Sequence, residues 1–118
     1  MGIFSDVSLV MTKELEVKVK EKASQRVMSL LEYADSKIES TENVRYDWEN
    51  IKWYEDLDDT DCRELHELLE ELDDGGEQYK LYKITELYLW QDFCPLDTWG
   101  CYVPEDITPS ISIGFDLD

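Results

Sequence analysis

Negative charge constrains this chain more than any other feature of its sequence. Its 118 residues include 29 Asp and Glu against 11 Lys and Arg, a formal net charge of -18. Disordered acidic chains are poor in aromatic residues, whereas this chain has four Trp and seven Tyr, so the sequence predicts a folded protein. Nucleic acid and anionic membranes attract clustered Lys and Arg, so neither is predicted to be a direct partner.

The charge is concentrated in the middle of the chain. Residues 1–40 have a net charge of -1, residues 41–77 of -12 and residues 78–118 of -5. Between residues 55 and 77, twelve acidic residues face a single basic one, Arg63. The length favours one domain, so residues 1–118 are predicted to form a single compact acidic domain.

The first half of the chain predicts a strand, a long helix and a second strand. Val7, Leu9 and Met11 alternate as in a strand, and Thr12 is the predicted N-cap of a helix from about Lys13 to Glu39. Apolar residues at helical spacing, including Ile38, keep one face of that helix. The alternation of the next strand slips by one residue near Glu49-Asn50, which favours one long bulged strand over a hairpin.

The second predicted helix is the clearest element. Asp61 and Glu64 resemble a capping box, the leucines at 65, 68, 69 and 72 follow helical spacing, and Gly75-Gly76 ends the helix. A strand near Tyr79 to Ile84 follows, then an aromatic-rich loop or short helical turn from Thr85 to Pro104. A last strand, broken by Pro109, covers residues 107–115. The predicted class is α+β, in the order β-α-β-α-β-β, with two helices on one face of a mainly antiparallel sheet.

No feature of the sequence predicts a compartment other than the cytoplasm. No apolar run is long enough to span a membrane, and no basic region precedes the first apolar stretch. Three cysteines, Cys62, Cys94 and Cys101, are an odd count and predict reduced thiols, with a Cys94–Cys101 bridge as the alternative.

The outer face of the second helix carries closely spaced carboxylates. Six acidic residues between Glu64 and Asp74 would span roughly 15 Å of helix, about one charge per 2.5 Å. Duplex DNA carries one charge per roughly 1.7 Å and a single strand one per about 3.4 Å. Few cations lie at i+4 to relieve the repulsion between these carboxylates. The sequence therefore leaves two interpretations open, a surface that binds a partner and an ordinary solvated helix face. The acidic residues predicted to bind a partner are Glu55, Asp56, Asp58, Asp59, Glu64, Glu67, Glu70, Glu71, Asp73 and Asp74.

Aromatic residues complete the predicted interface. Trp and Tyr anchor protein interfaces, and at least one of Trp53, Trp90 and Trp99 is expected to be exposed beside the acidic residues. Most of the aromatics are otherwise expected in the core.

Catalytic and metal sites have little support in the sequence. His66 is predicted to be a structural residue beside the leucine face, and Cys62 lies among anions that oppose a reactive thiolate. Residues 56–67 approach an EF-hand register, but Asp61 stands at the position that requires Gly, and no entering helix precedes it. No cofactor, metal ligand or catalytic residue is predicted, and the protein is predicted not to be an enzyme.

Two segments resemble uncharacterised phage proteins, namely Phe4-x-Asp6-Val7-x-Leu9-x-Met11-Thr12-Lys13-Glu14-Leu15 and Trp48-Glu49-x-Ile51-Lys52-Trp53-Tyr54. By composition the chain is also similar to phage anti-restriction and anti-CRISPR inhibitors that mimic DNA. The leading hypothesis is therefore a non-enzymatic inhibitor that binds a basic nucleic-acid-binding host protein, such as a defence nuclease or effector complex, in the host cytoplasm. A self-associating adaptor or structural phage protein, a homodimer included, and a divalent-metal-binding protein are the alternatives.

Overall fold

The computed structural model describes residues 4–85 and 96–107, which form an α+β fold of five strands and three helices. Every pair of neighbouring strands is antiparallel, and the order across the sheet is β2-β3-β1-β4-β5. The predicted α+β class and antiparallel sheet are confirmed. The strands are β1 (Ser5–Thr12), β2 (Ser36–Glu39), β3 (Asn43–Ile51), β4 (Tyr79–Thr85) and β5 (Leu96–Gly100), and the helices are α1 (Lys13–Lys22), α2 (Gln25–Glu32) and α3 (Asp61–Leu72).

One hydrophobic core joins the sheet to the helices. Val7, Leu9 and Met11 of the central strand β1 belong to the same buried cluster as Leu15 of α1 and Leu65 of α3. Successive residues of a strand point to opposite faces, so the helices pack on the face that carries the odd-numbered residues of β1. The core therefore lies between this face and the helices.

The predicted single helix from Lys13 to Glu39 is wrong. Thr12 caps α1 as predicted, since its hydroxyl accepts a hydrogen bond from the backbone N–H of Leu15. The helix nevertheless ends at Lys22, and the hydroxyl of Ser24 caps a separate helix, α2. Residues 36–39 form β2, which pairs with β3, because backbone pairing at the sheet edge outweighs the helical pattern of a few apolar residues. The observed order is therefore β-α-α-β-β-α-β-β.

The predicted bulge in β3 is confirmed. Ser5 lies opposite Ile51 whereas Val7 lies opposite Trp48, so β3 has one extra residue between these pairs. Asn50 adopts a positive φ of 53° there, and its N–H donates to the Asp6 carboxylate at 2.9 Å. The bulge keeps Trp48 on the core face while the chain turns towards α3.

The end of the described chain differs from its prediction. Residues 96–100 form β5, paired with β4, where a loop or helical turn was expected. Gly100 has a φ of +82°, and an added Cβ would lie 2.2 Å from the Tyr79 carbonyl oxygen. Glycine is therefore required at this close approach of β5 to β4. Trp90, Cys94 and the predicted strand from residue 108 onward lie outside the described residues.

Thr60, rather than Asp61, is the N-cap of α3. Its hydroxyl accepts the backbone N–H of Arg63 at 3.1 Å and lies 3.0 Å from the carbonyl oxygens of Tyr54 and Leu57. The predicted cap was thus one residue late, and the carboxylate of Asp61 instead accepts the N–H of Cys62. The Thr60 hydroxyl connects the helix to the preceding acidic loop.

Replacing Thr60 with alanine is expected to lower the free energy of unfolding by about 1 kcal/mol, since the helix loses its cap. Replacing Thr60 with serine retains the hydroxyl and is expected to recover most of that loss. Urea unfolding measures both changes, with T41A as the control, because Thr41 is exposed and outside any helix. Equal stability of T60A and T41A would contradict the role of this cap.

Candidate functional site

Helix α3 presents its acidic residues to solvent because its other face is in the core. Cys62, Leu65 and Leu69 are buried on the inner face, whereas Glu67, Glu70 and Glu71 on the outer face are exposed. The amphipathic spacing of the sequence therefore places these carboxylates on one surface. Four carboxylates, at residues 64, 67, 70 and 71, span roughly 10.5 Å of helix, a mean axial separation of about 3.5 Å between neighbours.

The loop before α3 extends this surface. Asp56, Asp58 and Asp59 are exposed, and Asp59 has a positive φ of 64°. Glu55 differs from them, because its carboxylate accepts a 2.7 Å hydrogen bond from Lys83 Nζ of β4. Glu55 therefore attaches the loop to the sheet rather than facing a partner.

Asp73 is the other predicted acidic residue that points inward. It is 8% exposed, and its carboxylate accepts the backbone N–H groups of Glu77 and Gln78 at 3.2 and 2.6 Å. Asp73 is also the residue at which α3 ends, so the helix does not continue to Asp74 as the sequence predicted. The prediction that Asp73 faces a partner is wrong, since it closes the turn into β4.

Basic residues of α1, α2 and α3 form ion pairs with part of the acidic surface. Arg26 Nη1 of α2 lies 2.9 Å from Asp59 Oδ1 and 3.7 Å from Glu64 Oε1. Lys22 of α1 lies 3.3 Å from Glu71, and Arg63 lies 3.0 Å from Glu67. The expected lack of charge relief on this face is therefore wrong. Three of these four basic contacts join residues far apart in sequence, which the i+4 rule does not consider.

Four of the ten predicted acidic residues are exposed and form no ion pair with the described residues. We call Asp56, Asp58, Glu70 and Asp74 the open carboxylates. They lie on both sides of the paired acidic residues, two in the loop, one on the helix and one just beyond it. Without the inward-pointing Glu55 and Asp73, eight predicted acidic residues are accompanied by Lys22, Arg26 and Arg63, so this surface keeps a net charge of -5.

Neither of the two candidate tryptophans that the structure describes, Trp53 and Trp99, is exposed as an aromatic anchor. Trp53 is 1% exposed, and its indole N–H donates to His66 Nε2 at 3.0 Å in the core. Trp99 is half-buried and packs edge-on against His66, with ring centroids 4.6 Å apart. Trp53 is therefore a core residue rather than a contact residue, and Trp90 lies outside the described residues.

Tyr33 and Leu57 are the exposed apolar side chains beside the acidic surface. Tyr33 is 78% exposed at the C-terminal end of α2. It lines a groove of about 510 Å³ together with Arg26, Asp59 and Asp61. Sequence reasoning missed Tyr33, although its position next to the buried pair Leu30-Leu31 places it off the apolar face of the helix. Leu57, in the acidic loop, is about half exposed.

The two reactive side chains of α3 are held in unreactive forms. Burial, assisted by the neighbouring Asp61, raises the pKa of the Cys62 thiol to about 12, so the thiolate is scarce at neutral pH. Burial lowers the pKa of His66 to about 4, and the ring is neutral with Nε2 accepting from Trp53. His66 is a buried structural residue, as predicted, and Cys62 and Cys101 are both free thiols.

Residues 56–67, which approach an EF-hand register in sequence, do not form the calcium-binding loop that such a register requires. Helix α3 begins at Asp61, so the second half of the register is helical. Within residues 4–85 and 96–107, no three His, Cys, Asp or Glu side chains are grouped so as to hold a metal ion. The acidic surface is therefore a charged face rather than a preformed coordination site.

Within the part of the chain that the structure describes, no helix is both long and apolar enough to cross a bilayer.

Comparisons with other proteins add no family to this description. The chain matches no protein-family model, and neither the curated proteins nor the solved structures include a significant match.

Proposed function

We propose that this protein is a non-enzymatic inhibitor that binds the basic groove of a nucleic-acid-binding protein in place of nucleic acid. The observation that supports this most is the set of open carboxylates, which are exposed without ion pairs among the described residues. A partner's Lys and Arg side chains would supply the missing cations. Their attraction to a surface of net charge -5 would speed association and make it sensitive to salt.

The spacing of the carboxylates favours a nucleic-acid site over an arbitrary basic patch. The mean axial separation of about 3.5 Å along α3 is close to the roughly 3.4 Å between charges along a single strand of DNA. Glu64, Glu67 and Glu71, which already have cationic neighbours, would exchange them for those of the partner. Tyr33 and Leu57 lie beside this surface and add an apolar contact that nucleic-acid phosphates do not offer.

A defence nuclease or effector complex is the partner class we propose, in line with the expectation from the sequence that the chain is a phage-type inhibitor. An inhibitor of this kind needs no catalytic residue, and the pKa values of Cys62 and His66 are unsuited to nucleophilic or acid–base chemistry near neutral pH. The inhibition would be competitive with nucleic acid, because both ligands use the same groove.

Capture from a nuclease-treated bacterial lysate tests the proposal. Immobilised wild-type protein is expected to retain proteins that bind nucleic acid and to release them when a short duplex DNA is added. A variant with the open carboxylates neutralised is expected to bind them with about thirtyfold lower affinity, or about 2 kcal/mol less, if each exposed ion pair contributes about 0.5 kcal/mol. Its substitutions are D56N, D58N, E70Q and D74N.

A second variant removes the same number of charges elsewhere. Its substitutions are E14Q, E21Q, E32Q and E42Q, all at exposed residues outside the acidic surface. This control is expected to retain the captured proteins as wild type does. Equal loss in both variants would assign the effect to overall charge, and release by salt but not by DNA would exclude nucleic-acid mimicry.

A further inference from the structure

Among residues 4–85 and 96–107, strand β2 is an edge of the sheet. Within these residues it pairs with β3 on one side only, and all four of its residues are exposed. An edge strand has unpaired backbone N–H and C=O groups, which are a template for a further strand. The hydrogen-bond pattern and the side chains of β2 determine which strand fits this edge.

The backbone groups that point away from the sheet belong to Lys37 and Glu39. The N–H of Ser40 donates to the carbonyl oxygen of Asn43 at 2.9 Å, at the turn between β2 and β3. Hydrogen-bonded pairs alternate with non-hydrogen-bonded pairs along an antiparallel ladder. Ile38 and Ser36 are therefore bonded towards β3, and Lys37 and Glu39 direct their N–H and C=O groups outward.

A second copy of β2 complements this edge. A two-fold axis through Ile38 places Lys37 opposite the partner's Glu39, so that outward-pointing backbone groups meet and opposite charges are paired. An axis through Lys37 or Glu39 would instead oppose like charges, which destabilises a strand pair. We propose that β2 pairs antiparallel with β2 of a second copy, centred on Ile38, and that the two sheets form one continuous sheet.

An exposed apolar side chain lies at the proposed axis. Ile38 is 43% exposed although it lies in a strand, and at the axis it would contact its own copy in a non-hydrogen-bonded pair, where Cα atoms approach to about 4.5 Å. Its neighbour Lys37 points to the other face of the sheet, where Lys37 Nζ lies 3.3 Å from the Glu16 carboxylate of α1.

The distribution of charge permits this association. Helix α1 contacts β2 through Lys13–Glu39 and Glu16–Lys37 pairs, and residues 1–40 have a net charge of only -1. Helix α3 lies towards the opposite edge, where His66 contacts Trp99 of β5. The acidic surfaces of the two copies would therefore lie at the far ends of the dimer, where their repulsion is weakest. This proposal does not depend on the proposed function.

Sedimentation equilibrium of the full chain over a range of concentrations tests the proposal. Wild type is expected to show a reversible monomer–dimer equilibrium. I38K places like charges at the axis and is expected to weaken the dimer at least about tenfold. V103K is the matched control, because Val103 is an exposed apolar residue outside the sheet, and it is expected to dimerise as wild type does.

A cysteine at the axis tests the register independently of affinity. I38C in a C94S/C101S background is expected to form a covalent dimer under mild oxidation, because a close cross-strand pair brings the two thiols within disulfide reach. V103C in the same background is expected to remain largely uncrosslinked. A wild-type protein that stays monomeric at millimolar concentration, a dimer unaffected by I38K, or no preference of crosslinking for position 38 would each overturn the proposal.

Discussion

Replacing Trp53 with alanine is expected to lower the free energy of unfolding by about 4 kcal/mol, the typical cost of removing a fully buried large aromatic side chain. The Trp53 ring lies between Trp48 and His66, with ring centroids 5.0 and 5.9 Å away. Its loss would leave a cavity where β3, α3 and β5 meet. His66 Nε2 would also lose its only described donor, which adds to the cost.

W53F separates the packing from the hydrogen bond. It retains an aromatic ring but removes the indole N–H, and we expect a loss of about 1–2 kcal/mol. Y33A is the control, since Tyr33 is an exposed aromatic residue, and its stability is expected to stay within about 0.5 kcal/mol of wild type. Denaturant unfolding followed by circular dichroism measures all three variants. A W53A protein as stable as Y33A would contradict the burial of Trp53.

Acid is expected to destabilise the protein through His66. Burial lowers its pKa to about 4 in the folded state, with the charge of Glu55 opposing this shift and that of Lys83 adding to it, against about 6.5 in an unfolded chain. The unfolded state therefore binds more protons between these two values. The stabilising effect is fully present above about pH 6.5 and is lost as the pH falls to about 4, a total of about 3 kcal/mol.

H66Q isolates this effect from the titration of the many carboxylates. Its side-chain oxygen can accept the hydrogen bond from Trp53, but it does not titrate. The difference in unfolding free energy between wild type and H66Q is expected to shift by about 2 kcal/mol between pH 6.5 and 5, with wild type losing relative stability. Parallel pH profiles for the two proteins would contradict a buried neutral histidine.

Strict periodicity explains which elements were predictable from sequence. Strands β1 and β3, with the bulge near Asn50, follow from alternating apolar residues, because register at a buried face permits only one arrangement. Helix α3 follows from leucines at helical spacing. The local pattern alone determines such elements, since each of them has an unambiguous buried face.

Short elements were missed because long-range pairing determines them. Strand β2 has four exposed residues and no apolar alternation, and it exists because β3 pairs with it. The break between α1 and α2 contains neither Gly nor Pro, and its only local signal is the capping residue Ser24. Strand β5 similarly depends on the close approach of Gly100 to Tyr79.

The candidate site was predicted in outline but not in detail. Charge density located the acidic surface, but it did not reveal that Asp73 and Glu55 point inward or that Arg26 pairs with Asp59. Glu55 and its partner Lys83 are 28 positions apart in the sequence, and Arg26 and Asp59 are 33 positions apart. Sequence spacing carries no information about them, because they arise only when the helices pack on the sheet.

Competition between this protein and DNA for one captured partner tests nucleic-acid mimicry most directly. A labelled duplex is bound to the purified partner, and wild-type protein or the variant lacking the open carboxylates is then titrated in at two salt concentrations. Wild type is expected to displace the duplex in full, less effectively at the higher salt, and the variant about thirtyfold less effectively. A ternary complex, in which the partner holds the DNA and this protein together, would contradict the proposed function.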